Sequence, residues 1–153
     1  MIEYIRGDIF NSDCDILVHQ VNCKGKMGKG IAYDIRNKYP YVYTSYKEFC
    51  KDSNNLGGKL HIVVVNHHIS GKALYIVNLF GQDGYGHDKR YTNYEWVENG
   101  IKLLAEYAKR HNLSIAIPYK MGCNNAGGNW EKIYQIIYNY LGNNNTICRI
   151  YKK

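Results

Sequence analysis

The sequence lacks several features that would place it in a specialised class of protein. No apolar run approaches the roughly 18–20 residues that a membrane-spanning helix needs. The N-terminal segment MIEYIRGDIF carries early charges and no apolar core, so it does not resemble a signal peptide. We therefore expect a cytoplasmic protein that has no membrane partner.

Cysteine patterns typical of disulfide frameworks and zinc sites are also missing. The chain has 5 cysteines, all far apart, and no C-x-x-C pair. His67 and His68 are adjacent, but no third ligand stands at a supportive spacing. We expect reduced thiols, no metal and no cofactor.

Acidic residues are outnumbered by basic ones, 13 against 20, which gives a formal net charge of +7. A basic balance favours anionic partners, which include phosphates, nucleotides and nucleic acid. The charge alone does not choose among these partners.

The 153 residues amount to one domain, because no linker, repeat or low-complexity segment interrupts them. Apolar strand patterns alternate with helical ones, which predicts a three-layer α/β/α domain with a mixed central sheet. A hairpin turn at Ser70-Gly71-Lys72 would supply the antiparallel part. The predicted strands are 2–6, 15–22, 60–66, 74–79, 114–117 and 146–151, and the predicted helices are 31–38, 40–50, 93–110 and 129–141.

Two glycine-rich loops follow apolar strands, at Lys24–Gly30 and at Met121–Gly128. Glycine lets backbone N–H groups approach an anion closely, and a helix N-terminus behind the loop adds favourable charge. Two such loops facing each other can hold a pyrophosphate, as in a dinucleotide or ADP-ribose. Neither a Walker loop nor the G-x-G-x-x-G fingerprint is matched. Each loop taken alone is also compatible with an ordinary turn.

The motifs around these loops resemble those of a macrodomain, the ADP-ribose-binding α/β/α module. They are Gly7-Asp8-Ile9, the segment 16–22 (ILVHQVN) with Gly25, the segment 27–32 (MGKGIA), and the segment 117–123 (IPYKMGC) with 126–130 (AGGNW). Their order is that of the family and they span nearly the whole chain. The resemblance is strongest to ADP-ribose 1″-phosphate phosphatases and to small de-ADP-ribosylating macrodomains, and Phe80-Gly81-Gln82 fits the phosphatase-like side.

The resemblance implies roles for individual residues. Asp8 would accept a hydrogen bond from the adenine amino group, the Ile9 N–H would meet a ring nitrogen, and Asn22 would contact the distal ribose. The alternatives are that Asp8 serves only as a turn cap and that Asn22 is an ordinary strand-end residue. The other implied ligand-binding residues are Gly28, Gly30, Ile31, Gln82, Tyr85, Gly122, Cys123, Asn124, Asn125, Ala126 and Tyr151. Asn124-Asn125 departs from the family, which often has a glycine and an aliphatic residue there.

His19 is the sharpest catalytic hypothesis, with Asn22 beside it. Histidine exchanges protons near neutrality, and phosphatase-like relatives use a histidine at this place in the strand. The alternative is a core histidine that bonds to its surroundings. Strict strand alternation sends His19 and Asn22 to opposite faces, so both would reach one ligand only if the strand end were distorted.

A second catalytic route uses a lysine just after the fourth strand, as in relatives that cleave ADP-ribose from proteins or DNA. Here that place holds Gln82, and Ala126 replaces the acid that sometimes assists from the second loop. We therefore expect no lysyl intermediate.

Three hypotheses follow. The first is a metal-independent hydrolase acting on ADP-ribose 1″-phosphate or on ADP-ribose attached to a macromolecule, which could be a nucleic acid. The second is a non-catalytic reader of ADP-ribose. The third is a nucleic-acid-binding domain, which the charge allows although the sequence displays no RNA-binding signature or ordered aromatic platform.

Overall fold

The alternating pattern folds into a six-stranded sheet with two helices on each face, in a computed structural model that describes all 153 residues. The strands are β1 (Ile2–Arg6), β2 (Ile16–Asn22), β3 (Leu60–Asn66), β4 (Ala73–Gln82), β5 (Ile115–Pro118) and β6 (Cys148–Lys152). The helices are α1 (Gly30–Lys38), α2 (Pro40–Asp52), α3 (Tyr94–His111) and α4 (Trp130–Leu141). The predicted three-layer class is confirmed.

The order of the strands brings the ends of β2, β4 and β5 together. The sheet runs β1-β6-β5-β2-β4-β3, and every neighbouring pair is parallel except β3 with β4. Strand β2 lies between β4 and β5 and is buried on both faces, as its apolar run indicates. The antiparallel pair β3–β4 confirms the predicted hairpin, and Gly71 in its turn has a φ of +74°.

Two apolar cores flank the sheet. One packs α3 and α4 against residues such as Val18, Leu79 and Ile117, and the other packs α1 and α2 against residues such as Leu17 and Phe80. The members of β2 and β4 alternate between these two cores, as successive strand residues must.

Asparagine side chains cap the first turns of two of the four helices, α3 and α4. Asn129 accepts a hydrogen bond from the Lys132 backbone N–H at 3.2 Å and so caps the start of α4. Asn93 caps α3 in the same way through the Trp96 N–H. The sequence did not predict the single 3₁₀ turn Ile9–Asn11, which follows β1. None of the four helices combines the length and apolar character that crossing a bilayer requires.

Candidate ligand-binding cleft

A cavity of about 670 Å³ opens where the carboxyl ends of β2, β4 and β5 meet. Both predicted glycine loops line it, one from each side. The predicted residues that line it are Asn22, Gly28, Gly30, Ile31, Gln82, Tyr85, Gly122, Asn124, Asn125 and Ala126. A cavity of this size lies within the range of typical cofactor sites. The structure therefore brings the two loops together on one ligand-sized space.

The first loop is shaped by the side chain of Asn22. Its Oδ1 accepts hydrogen bonds from the backbone N–H groups of Lys24 and Lys26, at 3.0 and 3.3 Å, and from the Tyr46 hydroxyl at 2.9 Å. Its Nδ2 donates to the Lys26 carbonyl at 2.8 Å. The amide oxygen is therefore fully used by hydrogen bonds from the first loop and from α2. One N–H of the amide is left to donate to a ligand.

Helix α1 starts at the edge of the cavity. Lys29 precedes it in extended backbone and gives no side-chain cap, so the first N–H groups of the helix lack a side-chain partner. Gly30, with a φ of +61°, turns the chain into the helix and lines the cavity. Uncapped helix N–H groups beside a glycine turn are well suited to binding a phosphate.

The second loop depends on glycine at position 122. Its φ is +76°, and a Cβ there would lie 2.5 Å from Oε1 of Gln20. The Gly122 carbonyl accepts hydrogen bonds from the Thr92 hydroxyl at 2.6 Å and from the Gly128 N–H at 2.9 Å. These hydrogen bonds hold the loop against the segment before α3, and the Gln20 side chain of β2 fills the space beside Gly122.

The Gln20 side chain links β2 to the end of β4 and to the segment before α3. The sequence did not predict this role. The Gln20 Nε2 donates to Gln82 Oε1 at 2.8 Å and to Thr92 Oγ1 at 2.9 Å, while its buried Oε1 has no partner. Gln82 in turn donates to the Gly84 carbonyl at 2.8 Å. The partners lie more than 60 positions from Gln20 along the chain, so no local signal could have revealed them.

His19 lies outside the cavity, so the structure does not bring it to the predicted site. Its side chain is fully buried between α2 and the sheet, and Nε2 bonds to Asn78 Oδ1. Desolvation outweighs the Asn78 hydrogen bond and lowers the pKa of His19 to about 4. The β2–β4 register does shift between Val21 and Asn22, and this shift turns Asn22 toward Tyr46 on α2. His19 nevertheless remains fully buried, away from the cavity. This geometry corrects the expectation that His19 would act on a bound ligand.

The cysteines near the cleft do not supply a nucleophile. Burial raises the pKa of the Cys123 thiol to about 11, and burial together with Asp83 raises that of Cys23 to about 11. Both thiols are therefore protonated near neutrality.

Lys26, Lys29 and Lys120 also line the cavity and give it a positive rim.

Four predicted ligand-binding residues are not part of the cavity lining, namely Asp8, Ile9, Cys123 and Tyr151. Asp8 and Ile9 follow β1, and the 3₁₀ turn that Ile9 begins packs beside β5. The Asp8 carboxylate accepts from the Phe10 N–H at 2.9 Å, which is the capping role considered above, and its second oxygen lies 3.9 Å from the Lys153 ammonium. Tyr151 packs partly buried against the same core as Ile9. No three His, Cys, Asp or Glu side chains come together as a metal site.

The Macro domain family model matches residues 18–137 of the chain. A curated DNA ADP-ribosyl glycohydrolase from Mycobacterium tuberculosis is 32% identical over 88% of this chain, but the match covers 37% of that protein. An ADP-ribose 1″-phosphate phosphatase from Meyerozyma guilliermondii is 30% identical over 71% of this chain and 72% of that protein. The macrodomain of Mycobacterium tuberculosis DarG superposes with a TM-score of 0.83 at 28% identity and covers 100% of this chain and 98% of that one.

Proposed function

This chain belongs to the macrodomain family, and from that premise we propose that it binds ADP-ribose in the cleft between its two glycine loops and hydrolyses an ADP-ribose derivative there. The observation that carries the proposal is the meeting of both loops and the start of α1 at one cavity. A diphosphate needs N–H donors from two sides, and these segments supply them.

The two ends of the ligand have different partners in this proposal. Asp8 and Ile9 receive the adenine beside the end of β5, as the family resemblance implies. Asn22 donates its remaining N–H to a hydroxyl of the distal ribose, because its oxygen is held by the first loop. The lysines at the rim attract the anionic ligand.

The reaction that we propose adds water to the bond that joins the distal ribose to its substituent. The products are ADP-ribose and either inorganic phosphate or the released macromolecule. His87 and Asp88 are the only histidine and the only carboxylate lining the cavity, so they are our first candidates for proton transfer within it. A hydrogen bond from Tyr91 lowers the pKa of Asp88, so this carboxylate is ionised near neutrality and suits charge stabilisation better than proton abstraction.

The names of the relatives indicate two substrate classes for the assay. They are ADP-ribose 1″-phosphate, and DNA or another macromolecule that carries ADP-ribose. Because the chain spans less than two fifths of the glycohydrolases that it matches, their activity enters here as a proposal only. A cytoplasmic location likewise stays a prediction.

The test separates binding from turnover. Calorimetric titration with ADP-ribose should give saturable binding that Asp8→Ala weakens. Incubation with ADP-ribose 1″-phosphate, and separately with ADP-ribosylated DNA and protein, should release phosphate or ADP-ribose. Absence of binding would contradict the whole proposal, and binding without turnover on any substrate would contradict its catalytic half.

A non-catalytic reader is the second candidate, and one observation favours it. The place of the family's catalytic lysine holds Gln82, whose amide is fixed by Gln20 and the Gly84 carbonyl. His19 is also fully buried. The cleft therefore contains neither the histidine nor the lysine that the two catalytic routes described for the relatives would use.

A further inference from the structure

Five aromatic side chains from three segments form a continuous cluster at the β1 edge of the molecule. They are Tyr4 on β1, Tyr119 after β5, and Trp130, Tyr134 and Tyr138 on α4. Tyr134 stacks against Tyr4 at 6.1 Å between ring centroids and against Tyr138 at 6.4 Å. Tyr119 meets Tyr4 at 6.2 Å and Trp130 at 5.2 Å. We call this set the aromatic row.

The row is open to solvent at two of its rings. Tyr4 is 51% exposed and Tyr138 is 41% exposed, although both are large apolar residues. They stand on either side of Tyr134, so the exposed rings continue one stacked series. Exposed apolar surface that forms one contiguous patch is more typical of an interaction site than a single exposed ring is.

Positive charge accompanies the row. The Lys152 and Lys120 ammonium groups lie 4.8 and 5.7 Å from the centroid of the Tyr119 ring.

The acidic neighbour of Tyr4 does not oppose this charge. Glu3 alternates to the other face of β1 and pairs with Arg149 at 2.9 Å. The face that carries the row therefore combines exposed aromatic rings with unpaired lysines.

We propose that the aromatic row, with the flanking Lys120 and Lys152, is a binding surface for single-stranded nucleic acid outside the ADP-ribose cleft. Bases stack on aromatic rings without regard to sequence, while nearby cations bind the phosphates. Lysine is depleted at protein interfaces, so its abundance here favours a polyanion over a protein partner. The surface shares only Tyr119 and Lys120 with the cleft wall, so the inference does not depend on the proposed function.

The test measures fluorescence anisotropy of labelled oligothymidylate and oligouridylate with the full chain. We expect binding that weakens as salt rises and that persists when ADP-ribose saturates the cleft. Tyr4→Ala and Tyr138→Ala should each weaken it by about fivefold or more, the loss of one stacked base. Tyr4→Phe, which keeps the ring, should bind like the wild type.

Controls come from other exposed positions. Tyr41→Ala removes a 67% exposed ring from α2, and Lys102→Gln removes a charge from α3, and neither should change binding. Lys152→Gln should weaken it and reduce its salt dependence. Affinity for ADP-ribose, measured by calorimetry, should be unchanged by Tyr4→Ala and Tyr138→Ala, and this separates the surface from the cleft.

Three results would overturn the inference. The first is that oligonucleotide binding does not depend on the row, either because neither oligonucleotide binds or because Tyr41→Ala weakens binding as much as Tyr4→Ala does. The second is that ADP-ribose displaces the oligonucleotide, which would locate it in the cleft. The third is that sedimentation finds a dimer that Tyr4→Ala disperses, which would make the row a protein interface. A preference between the two oligonucleotides would identify DNA or RNA as the partner.

Discussion

Strand β2 carries polar residues into two very different environments. His19 lies in a sealed layer between the sheet and α2, where it is fully buried. Gln20 and Asn22, one and three positions later, line the open cleft. A polar residue in an apolar strand can therefore serve the interior or a ligand. The face of the sheet separates His19 from Gln20, and the register shift at the strand's end gives Asn22 its position.

The sealed region is organised as a hydrogen-bonded chain across three neighbouring strands. His19 bonds to Asn78, the Asn78 Nδ2 lies 3.0 Å from His61 Nδ1, and His61 Nε2 lies 3.1 Å from the Ser45 hydroxyl. His19 pairs with Asn78 in the β2–β4 register and His61 pairs with Asn78 in the β3–β4 register, so the chain follows from sheet pairing. Its partners are all side chains, whereas in the first cleft loop the Asn22 side chain bonds to backbone groups.

The largest effect that we expect is an acid destabilisation caused by His19. Its pKa falls from 6.5 to about 4 on folding, because burial disfavours the charged ring. Between these values the unfolded chain binds a proton that the folded protein does not. The free energy of unfolding should therefore drop as pH falls from 6.5 to 4, by roughly 3 kcal/mol from this group.

Urea unfolding of the wild type and of His19→Asn at several pH values measures this effect. The stability difference between the two proteins should shift against the wild type as pH is lowered. Parallel curves would mean that His19 is not sealed. Any turnover found for the wild type should persist in His19→Asn at neutral pH. Loss of turnover in a folded His19→Asn variant would indicate that His19 takes part in the reaction.

The next largest effect compares two glycines that share a backbone conformation. Gly122 has a φ of +76° and Gly71 has a φ of +74°, so alanine at either position should cost about 1–2 kcal/mol of stability. At Gly122 the new Cβ would also meet Gln20 Oε1, whereas at Gly71 it meets nothing within 4 Å. Gly122→Ala should therefore displace the second loop and weaken ADP-ribose binding by about 100-fold, through lost phosphate hydrogen bonds.

Calorimetric titration and thermal unfolding of both variants separate the two costs. Gly71→Ala should lose stability and keep wild-type affinity, because its hairpin does not line the cleft. Equal affinities in the two variants would show that the second loop does not hold the diphosphate.

The sequence predicts the cleft better than the interior for a physical reason. Glycines that follow apolar strands mark the loops, and parallel pairing must bring such loops to one edge of the sheet. The contacts of His19 and Gln20 depend instead on the register between β2 and β4, which joins residues about 60 positions apart. The aromatic row joins Tyr4 to Tyr134 in the same non-local way, and no motif encodes it.

The Asp8 carboxylate has one oxygen that bonds within the fold and a second that is open to a ligand. Substitution at Asp8 gives the smallest effect that we predict. The Asp8 Oδ1 accepts from the Phe10 N–H, while its Oδ2 has only a 3.9 Å ion pair with the exposed Lys153. Asn is as good a cap as Asp, so Asp8→Asn should keep the 3₁₀ turn and the stability of the protein. With its oxygen used as the cap, however, the new amide would present N–H donors where the adenine amino group also donates.

Titration with ADP-ribose and with its hypoxanthine analogue measures this effect. Asp8→Asn should bind ADP-ribose about 10-fold more weakly at unchanged stability, whereas Asp8→Ala should lose affinity and about 1 kcal/mol of stability together. The hypoxanthine analogue has a carbonyl oxygen in place of the amino group, so it should bind Asp8→Asn relatively better than the wild type. Wild-type affinity and base preference in Asp8→Asn would assign both oxygens of Asp8 to the fold, and the adenine would then need another partner.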